Sequence, residues 1–506
     1  SKILGVGPDE KILALGESGT RTIDLNNRLV LPGFIDTHFH FYEWALNYES
    51  IDFSKTPSFS AMQAQITQKS RQLGKNKWIL GQGFNESDWP ENRLPDRTDL
   101  DRAAPDNPVC IWRCDLHLAV ANTPALERAG ITRLSRDPKD GVIVRDAAGY
   151  PTGVLKELAP NLIRDVVPPL DDAAMLANME SAMSEAHRLG LTSIHDIRLM
   201  GGGEGKKALQ AWQRLRNENR LSMRCHVALP GEMASEALAL GLMTGFGDDL
   251  LRIGHLKFFS DGGMGARTGW MLEPYLDARE GMPLTPVTEI EDAVRQADNA
   301  GLSAMVHAIG DRANREIIRM FKRIEEKSTG RCRVPHRIEH MQMVRPEDLL
   351  VLSTLKNIVV TCQPNNLSLD ISMIDECVGD RGRFTYPIKS IMKTGVPVML
   401  GSDAPVADKS PLAGIYSASA RRRMDFTPSQ GWHMEEAISV TDAVRCYTLM
   451  PAIGSGTDHI IGSLTPGKYA DIVVLESNIF AAGLESIPST QVDMTLFNGK
   501  IVYDKG

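Results

Sequence analysis

Short apolar runs that end in polar residues recur through the middle of the chain and alternate with segments of helical periodicity. Eight such runs occupy residues 32–36, 109–113, 191–196, 256–261, 303–307, 336–340, 357–363 and 397–403. Residues 171–189 and 311–326 lie between them and carry apolar side chains at helical spacing. This alternation predicts an α/β fold with a parallel sheet, and eight strands predict a closed (β/α)₈ TIM barrel.

The two ends of the chain have a different sequence pattern, in which short strand-like runs such as residues 11–15 are separated by turns. Near the C-terminus, Asn498-Gly499 is a strong hairpin signal between two such runs. Neither end can bury both faces of a sheet alone. We therefore expect residues 1–30 and 455–506 to form one small β-sandwich domain, with the barrel spanning residues 31–454.

The segment of about residues 52–160 is too long for a single crossover between strands. It carries Trp89, Trp112 and His117 among many Asp, Asn and Pro residues. Long segments of this kind often carry function, so we expect an insertion near the barrel mouth.

The composition is that of a globular protein. The 506 residues are 42% hydrophobic and 24% charged, with a formal net charge of -8. The acidic balance argues against a nucleic-acid partner. The compact basic run at residues 421–423 is interpreted as a solvated helix face.

The cysteines and the chain start bear on the compartment. Seven scattered cysteines, one of them Cys114, favour free thiols in a reducing compartment, and we expect a cytoplasmic protein without a membrane partner. No apolar stretch approaches the length of a membrane span. Because the chain begins abruptly in a strand-like segment, native residues before Ser1 are an open question.

Residue types that bind metals lie at the ends of the predicted strands. They are His38, His40, Lys257, His307, His340 and Asp403. A barrel of this kind builds its active site at the carboxyl ends of its strands. Imidazole nitrogen and carboxylate oxygen suit Zn²⁺, although iron, manganese or cobalt tolerate the same set. The pattern predicts metal-assisted hydrolysis.

The string Leu31-Pro-Gly-Phe-Ile-Asp-Thr-His-Phe-His resembles the opening motif of the amidohydrolase superfamily. Further segments resemble its amidohydrolase 3 branch, which includes N-substituted formamide deformylases. These segments are residues 100–109, 151–155, 257–263, 307–313, 337–340, 401–405 and 464–474. The resemblance covers nearly the whole chain and implies a metal-dependent barrel enzyme.

Position by position, the resemblance implies one or two metal ions. His38 and His40 would bind the more buried ion together with Asp403, and His307 and His340 the more exposed one. Lys257 would bridge them, which requires a neutral amine or a carboxylate added by CO₂. The alternatives are a Lys257 paired with Asp261 or another carboxylate, which favours a single metal, and a bridge from Lys156 or Glu157.

Asp403 is the expected catalytic residue, as general base and then general acid. Trp89, His117 and Arg267 are candidate substrate-binding residues, with core packing or a structural role as the alternative for each. His195 is expected to orient a ligand from outside the coordination sphere.

Three functions compete. The first is a metal-dependent amidohydrolase that cleaves a small non-peptide amide of the N-acyl or N-formyl type by metal-activated hydroxide. The second is a hydrolase of the same fold that acts on a cyclic amide, a deaminable heterocycle or an ester. The third is an inactive metal-binding scaffold or regulatory protein. The resemblance also makes a homodimer an expectation.

Overall fold

A computed structural model describes residues 1–86, 89–113, 118–138, 141–157, 159–199, 204–327 and 332–506 of the chain. Its strands are β1 (Leu29–Pro32), β2 (Phe34–Phe39), β3 (Ile51–Asp52), β4 (Ile79–Phe84), β5 (Val109–Arg113), β6 (Leu118–Ala121), β7 (Gly141–Arg145), β8 (Pro151–Glu157), β9 (Leu191–Asp196), β10 (Arg224–Pro230), β11 (Leu251–Phe259), β12 (Ala304–Ala308), β13 (His336–His340), β14 (Ile358–Cys362), β15 (Val398–Leu400), β16 (Ile472–Leu475), β17 (Val492–Phe497) and β18 (Lys500–Asp504).

The α-helices are α1 (Asp9–Leu13), α2 (Phe41–Leu46), α3 (Phe59–Leu73), α4 (Arg97–Ala103), α5 (Thr123–Arg128), α6 (Asn161–Arg164), α7 (Asp172–Arg188), α8 (Glu204–Asn217), α9 (Ala234–Ala239), α10 (Val287–Ala300), α11 (Asp311–Glu325), α12 (Pro346–Leu352), α13 (Pro364–Val378), α14 (Ile388–Lys393), α15 (Pro411–Ala420), α16 (Val440–Cys446) and α17 (Leu449–Gly454). The helices expected over residues 171–189 and 311–326 correspond to α7 and α11.

The predicted eight-stranded parallel barrel is confirmed. Its strands follow the order β2, β9, β10, β11, β12, β13, β14 and β15, and every neighbouring pair in that order is parallel. The sheet is nearly closed, because the Thr37 hydroxyl of β2 donates to the carbonyl of Leu400 in β15 at 2.8 Å. All eight carboxyl ends therefore meet at one rim.

The assignment of one of the eight predicted strands to the barrel is wrong. Residues 109–113 form β5, which belongs to a different sheet, and the missing barrel strand is β10. Strand β10 lacks a clean apolar run because it contains Arg224 and His226. Tertiary partners compensate these polar groups, since Arg224 pairs with Asp471 and the His226 ring lies 4.8 Å from the ring of His195.

The chain divides into two compact units. One comprises Ser1–Ala45 and Met179–Gly506 and contains the barrel, and the other comprises Leu46–Asn178. The second unit holds a six-stranded sheet in the order β3, β4, β5, β6, β8 and β7. Apolar side chains of this sheet and of α3 and α4 form its core.

A separate four-stranded antiparallel sheet combines both ends of the chain, as predicted, in the order β1, β16, β17 and β18. The strand-like run at residues 11–15 is instead partly helical, in α1. Pro8 precedes this helix, and Asp9 and Glu10 occupy its first turn, where negative charge favours a helix N-terminus.

The basic run at residues 421–423 is not a solvated helix face, because Arg421 is fully buried. Arg421 follows α15 and donates hydrogen bonds to the carbonyl oxygens of Trp432 and Tyr386 at 2.8 and 2.9 Å.

The six described cysteines are buried free thiols, and Cys114 lies outside the described residues. Within the described ranges, none of the helices is long and apolar enough to cross a membrane.

Candidate metal centre

His38 and His40 lie at the carboxyl end of β2, and the backbone there is tied to the loop after β15. The amide of Asp403 donates to the carbonyl of His38 at 2.7 Å, and the amide of His40 donates to the carbonyl of Ala404 at 2.9 Å. Gly401 permits this approach, since a Cβ there would lie 2.5 Å from the His38 amide nitrogen. The two strand ends therefore hold the histidine pair beside Asp403.

Three donor atoms converge at this point. Oδ1 of Asp403 lies 3.3 Å from Nε2 of His40 and 3.5 Å from Nε2 of His38. One ligand atom from each residue falls within 4.8 Å of the other two. Asp403 has a φ of 62°, a conformation that non-glycine residues rarely adopt. The surrounding structure thus imposes a strained backbone to direct this carboxylate at the two rings.

The other two predicted histidines continue the cluster. The ring of His340 lies 4.7 Å from the ring of His38, and the ring of His307 lies 4.4 Å from that of His340. His340 ends β13 with a φ of 69°. The structure therefore brings all five non-lysine candidates together in two adjoining groups.

Lys257 lies in β11 with 1% of its surface exposed, and its Nζ has no hydrogen-bond partner among the described residues. The alternative is a pair with Asp261 or with another carboxylate, and no ion pair of Lys257 is seen among the described residues. The Asp261 carboxylate instead accepts hydrogen bonds from the amides of Ile309, Gly310 and Trp270. Burial lowers the pKa of Lys257 to about 8, although the carboxylates of nearby residues raise it. The Nζ lies 4.7 Å from the ring centroid of Phe259, and with no hydrogen bond to a described residue the amine is available for chemistry.

His38, His340 and His307 are held in the neutral form that metal ligation requires. Burial, assisted by the charge of Lys257, lowers the pKa of His38 to about 4, and burial lowers that of His340 to about 3. Burial and His340 likewise depress the pKa of His307. For Asp403, burial raises the pKa, but the hydrogen bond from His40 and the neighbouring rings outweigh it and hold it well below its usual range. Neutral imidazoles around an ionised carboxylate are the donor set that zinc and related cations bind.

A buried carboxylate orients the His38 ring through its Nδ1 nitrogen. Glu339 is fully buried and accepts a hydrogen bond from Nδ1 of His38, which leaves Nε2 facing Asp403. Arg337 in turn donates to Oε1 of Glu339 at 2.7 Å and to Nδ1 of His195 at 2.7 Å. His195 is therefore linked to a candidate ligand only through Arg337 and Glu339.

A second supporting residue is Asn366, at the start of α13. Its Nδ2 donates to Oδ2 of Asp403 at 3.0 Å, while the other carboxylate oxygen of Asp403, Oδ1, faces the histidines. The sequence interpretation missed Asn366, Glu339 and Arg337. A usable signal existed for the last two, because Arg337 and Glu339 alternate on the strand that ends in His340 and so share its inward face. No comparable signal marks Asn366.

The structure describes two of the three candidate substrate-binding residues. Arg267 pairs with Asp277, with Nη2 of the arginine 2.7 Å from the carboxylate. Trp89 lies in the core of the second unit with 3% exposure, and its indole donates to the carbonyl of Thr56. Core packing, the alternative left open by the sequence, thus describes Trp89. His117 lies outside the described residues, and Lys156 is exposed.

A second cluster, Asp298, Cys332 and His336, also has ligand atoms within 4.8 Å of one another. Nδ1 of His336 accepts a hydrogen bond from the amide of Ala304 at 3.0 Å. The neutral ring must then carry its proton on Nε2, which lies 3.3 Å from Asp298. A protonated nitrogen cannot ligate a metal, so this cluster is a hydrogen-bonded pair beside a thiol.

Comparison with known proteins assigns the family. The model of the amidohydrolase family matches residues 21–503, and the chain belongs to this family. It is therefore a hydrolase of the class that acts on carbon–nitrogen bonds other than peptide bonds, with a metal-dependent hydrolase fold.

Individual relatives cover almost the whole chain. The protein LONG AFTER FAR-RED 3 of Arabidopsis thaliana is 30% identical over 99% of this chain and 87% of its own length. The N-substituted formamide deformylase of Arthrobacter pascens is 24% identical over 100% of this chain and 94% of its own length. The crystal structure of an uncharacterized metal-dependent hydrolase from Pyrococcus horikoshii OT3 is 27% identical, with a TM-score of 0.77 over 96% of this chain and 93% of that one.

Proposed function

We propose that this protein hydrolyses the carbon–nitrogen bond of a small non-peptide amide of the N-acyl or N-formyl type, using a divalent metal. The observation that carries the proposal is the convergence of His38, His40 and Asp403 within 4.8 Å. The likeness to a formamide deformylase supports the N-formyl class.

Each residue has a role in this proposal. His38, His40 and Asp403 would hold one cation, and His307 and His340 would hold a second. When bound, a divalent cation lowers the pKa of a coordinated water to about 7 and polarises a carbonyl oxygen. Asp403 accepts a proton from the attacking water and returns it to the leaving nitrogen as the carbon–nitrogen bond breaks. Asn366 keeps the Asp403 carboxylate in place through Oδ2.

Lys257 completes the site as a carboxylated lysine. Its Nζ would add to CO₂ and lose a proton, which would give an anionic carbamate with oxygen atoms suited to bind a divalent cation. The burial of this nitrogen and its lack of a hydrogen-bond partner among the described residues support the assignment. Intact-mass measurement under non-denaturing conditions tests it directly, because the added CO₂ is lost on acidification and is absent from Lys257→Met.

The experiment combines metal analysis of the purified protein with a substrate panel. The panel contains N-formyl and N-acyl amines, cyclic amides, heterocycles with an exocyclic amine, and esters. We expect stoichiometric metal and release of amine from the first group. Asp403→Asn should lower kcat by about 10²- to 10⁴-fold, whereas His459→Ala, an exposed histidine, should leave it unchanged.

The outcomes separate the competing functions. Turnover of only cyclic amides, heterocycles or esters replaces the N-acyl proposal with the second function. Bound metal without turnover of any compound favours the scaffold. Full activity of Asp403→Asn overturns the role given to that carboxylate. Zinc as the metal, a homodimer and a cytoplasmic location stay predictions.

A further inference from the structure

A second carboxylate lies beside the candidate metal centre and has no part in the proposed hydrolysis. Asp370 follows Asn366 by four residues in α13, so the two side chains share one face of the helix. One helical turn, about 5.4 Å, separates them along the axis. Asp403 is close enough for its charge to contribute to the raised pKa of Asp370. The face of α13 that holds Asp403 therefore also presents Asp370.

The Asp370 carboxylate is held in a defined position. Its Oδ2 accepts hydrogen bonds from Nε2 of Gln342 at 2.9 Å and from the hydroxyl of Tyr386 at 2.6 Å. Gln342 also donates to that hydroxyl at 3.1 Å, and the amide of Tyr386 donates to the carbonyl of Gln342. Because Gln342 follows His340 by two residues, this support is rigidly connected to the metal centre.

The charge of Asp370 is not compensated by the protein. Among the described residues, no lysine or arginine forms an ion pair with it, and no hydrogen bond reaches its Oδ1. The same helix face offers a second unpaired acceptor, since Oδ1 of Asn366 is buried without a partner. The nitrogen and oxygen of the Asn366 side-chain amide cannot be exchanged, because the Asp403 carboxylate can only accept a hydrogen bond and needs Nδ2 as its donor. Asp370 is half-buried, so its Oδ1 is open to a ligand from solvent, whereas the buried Oδ1 of Asn366 is costly to leave without a donor.

We propose that Asp370 and Oδ1 of Asn366 bind an ammonium group of the substrate. The inference rests on the proposed function and narrows it to N-formyl or N-acyl amides that carry a second, protonated amine. The acyl group faces Asp403, and the ammonium lies between the side chains of Asn366 and Asp370, which are one helical turn apart on α13. Gln342 and Tyr386 occupy Oδ2 and leave Oδ1 to the ligand.

Matched substrates test the proposal. The probes are mono-N-formyl diaminoalkanes, from propane to hexane, and the N-formyl alkylamines of equal length. The wild-type enzyme should favour the ammonium compound of best length in kcat/KM. Asp370→Asn should raise KM for that compound by roughly 10- to 100-fold, as expected for a lost hydrogen bond to a charged group, and leave the alkylamine within about threefold. A merely structural role of Asp370 would reduce turnover of both probes alike.

Binding of the free diamine provides a readout independent of turnover. Calorimetry should show the diaminoalkane binding to wild-type protein and binding lost in Asp370→Asn. Asp375→Asn is the matched control, because Asp375 is an exposed carboxylate on the same helix that bonds the indole of Trp432. It should change neither measurement.

The failures of the two proposals are distinguishable. Equal turnover of both probes, with no diamine binding, overturns the ammonium site and leaves the amide hydrolysis standing. Diamine binding that depends on Asp370 without hydrolysis of any amide overturns the proposed function and leaves the ammonium site. Diamine binding that is unaffected in Asp370→Asn also overturns the inference.

Discussion

Glu339 accepts a hydrogen bond from Nδ1 of His38, although the two residues are 301 positions apart in the chain. Both side chains are buried, with 0% and 1% exposure. The bond places the imidazole proton on Nδ1 and turns Nε2 towards Asp403, 3.5 Å away. The orientation of a candidate metal ligand in β2 is therefore decided by a carboxylate in β13.

Glu339→Gln should weaken metal binding by about 10- to 100-fold, because the variant loses the charge that orients and polarises His38. Competition with a chromogenic chelator measures the affinity. Glu436→Gln is a suitable control, since Glu436 is a buried glutamate that accepts a hydrogen bond from the amide of Ser390. Equal metal affinity of wild type and Glu339→Gln would contradict the orienting role.

Arg337→Met should reduce the free energy of unfolding by about 3–5 kcal/mol, because Glu339 is then left as a buried charge without its guanidinium partner. Urea unfolding of the metal-free protein measures this loss. The double variant Arg337→Met/Glu339→Leu should lose less than the sum of the two single variants, by roughly 0.5–3 kcal/mol of coupling. Strict additivity would show that the two side chains do not stabilise each other.

Gly401→Ala should destabilise the protein by about 1–3 kcal/mol and weaken metal binding. The added Cβ would lie 2.5 Å from the His38 amide nitrogen and 2.9 Å from a carboxylate oxygen of Asp36. The ends of β2 and β15 must then separate. Thermal unfolding and chelator competition check both effects against Gly483→Ala, where no atom lies within 4 Å of the new Cβ. A wild-type-like Gly401→Ala would contradict the close approach.

Asp370→Asn should become more stable relative to wild type as the pH rises. Burial raises the pKa of Asp370 from 3.8 to about 6, despite the hydrogen bonds from Tyr386 and Gln342. The folded state thus binds more protons than the unfolded state between these values, so wild-type stability falls there with increasing pH. The difference in unfolding free energy should grow by on the order of 3 kcal/mol between about pH 3.5 and pH 7. A difference that is constant with pH would place Asp370 in a solvated environment.

The sequence was informative about most strands of the barrel. Seven of the eight strands were located, and helix α11 was predicted to within one residue. Strand β10 was missed because Arg224 and His226 interrupt its apolar pattern, and their partners come from other parts of the chain. A pattern along one segment cannot report such partners.

The candidate ligands were predictable for a different reason. In a parallel barrel, side chains at the strand ends face one rim wherever they occur in the chain. His38, His307, His340 and Asp403 could thus be grouped before any distance was known. Asn366, Gln342 and Tyr386 lie in helices or loops beyond the strand ends, where no periodicity fixes the direction of a side chain.

By itself, the sequence determined the barrel, the sheet built from both termini and the set of side chains available at the rim. The reason is that strand periodicity and strand ends are local properties of the chain. Only the tertiary structure decided which carboxylate orients His38, that Nζ of Lys257 is buried without a hydrogen bond to any described residue, and that Asp370 lies near Asp403 without an ion pair to a described residue. These relationships depend on contacts between distant strands and helices, and the burial that gives them their energy exists only after the chain has folded.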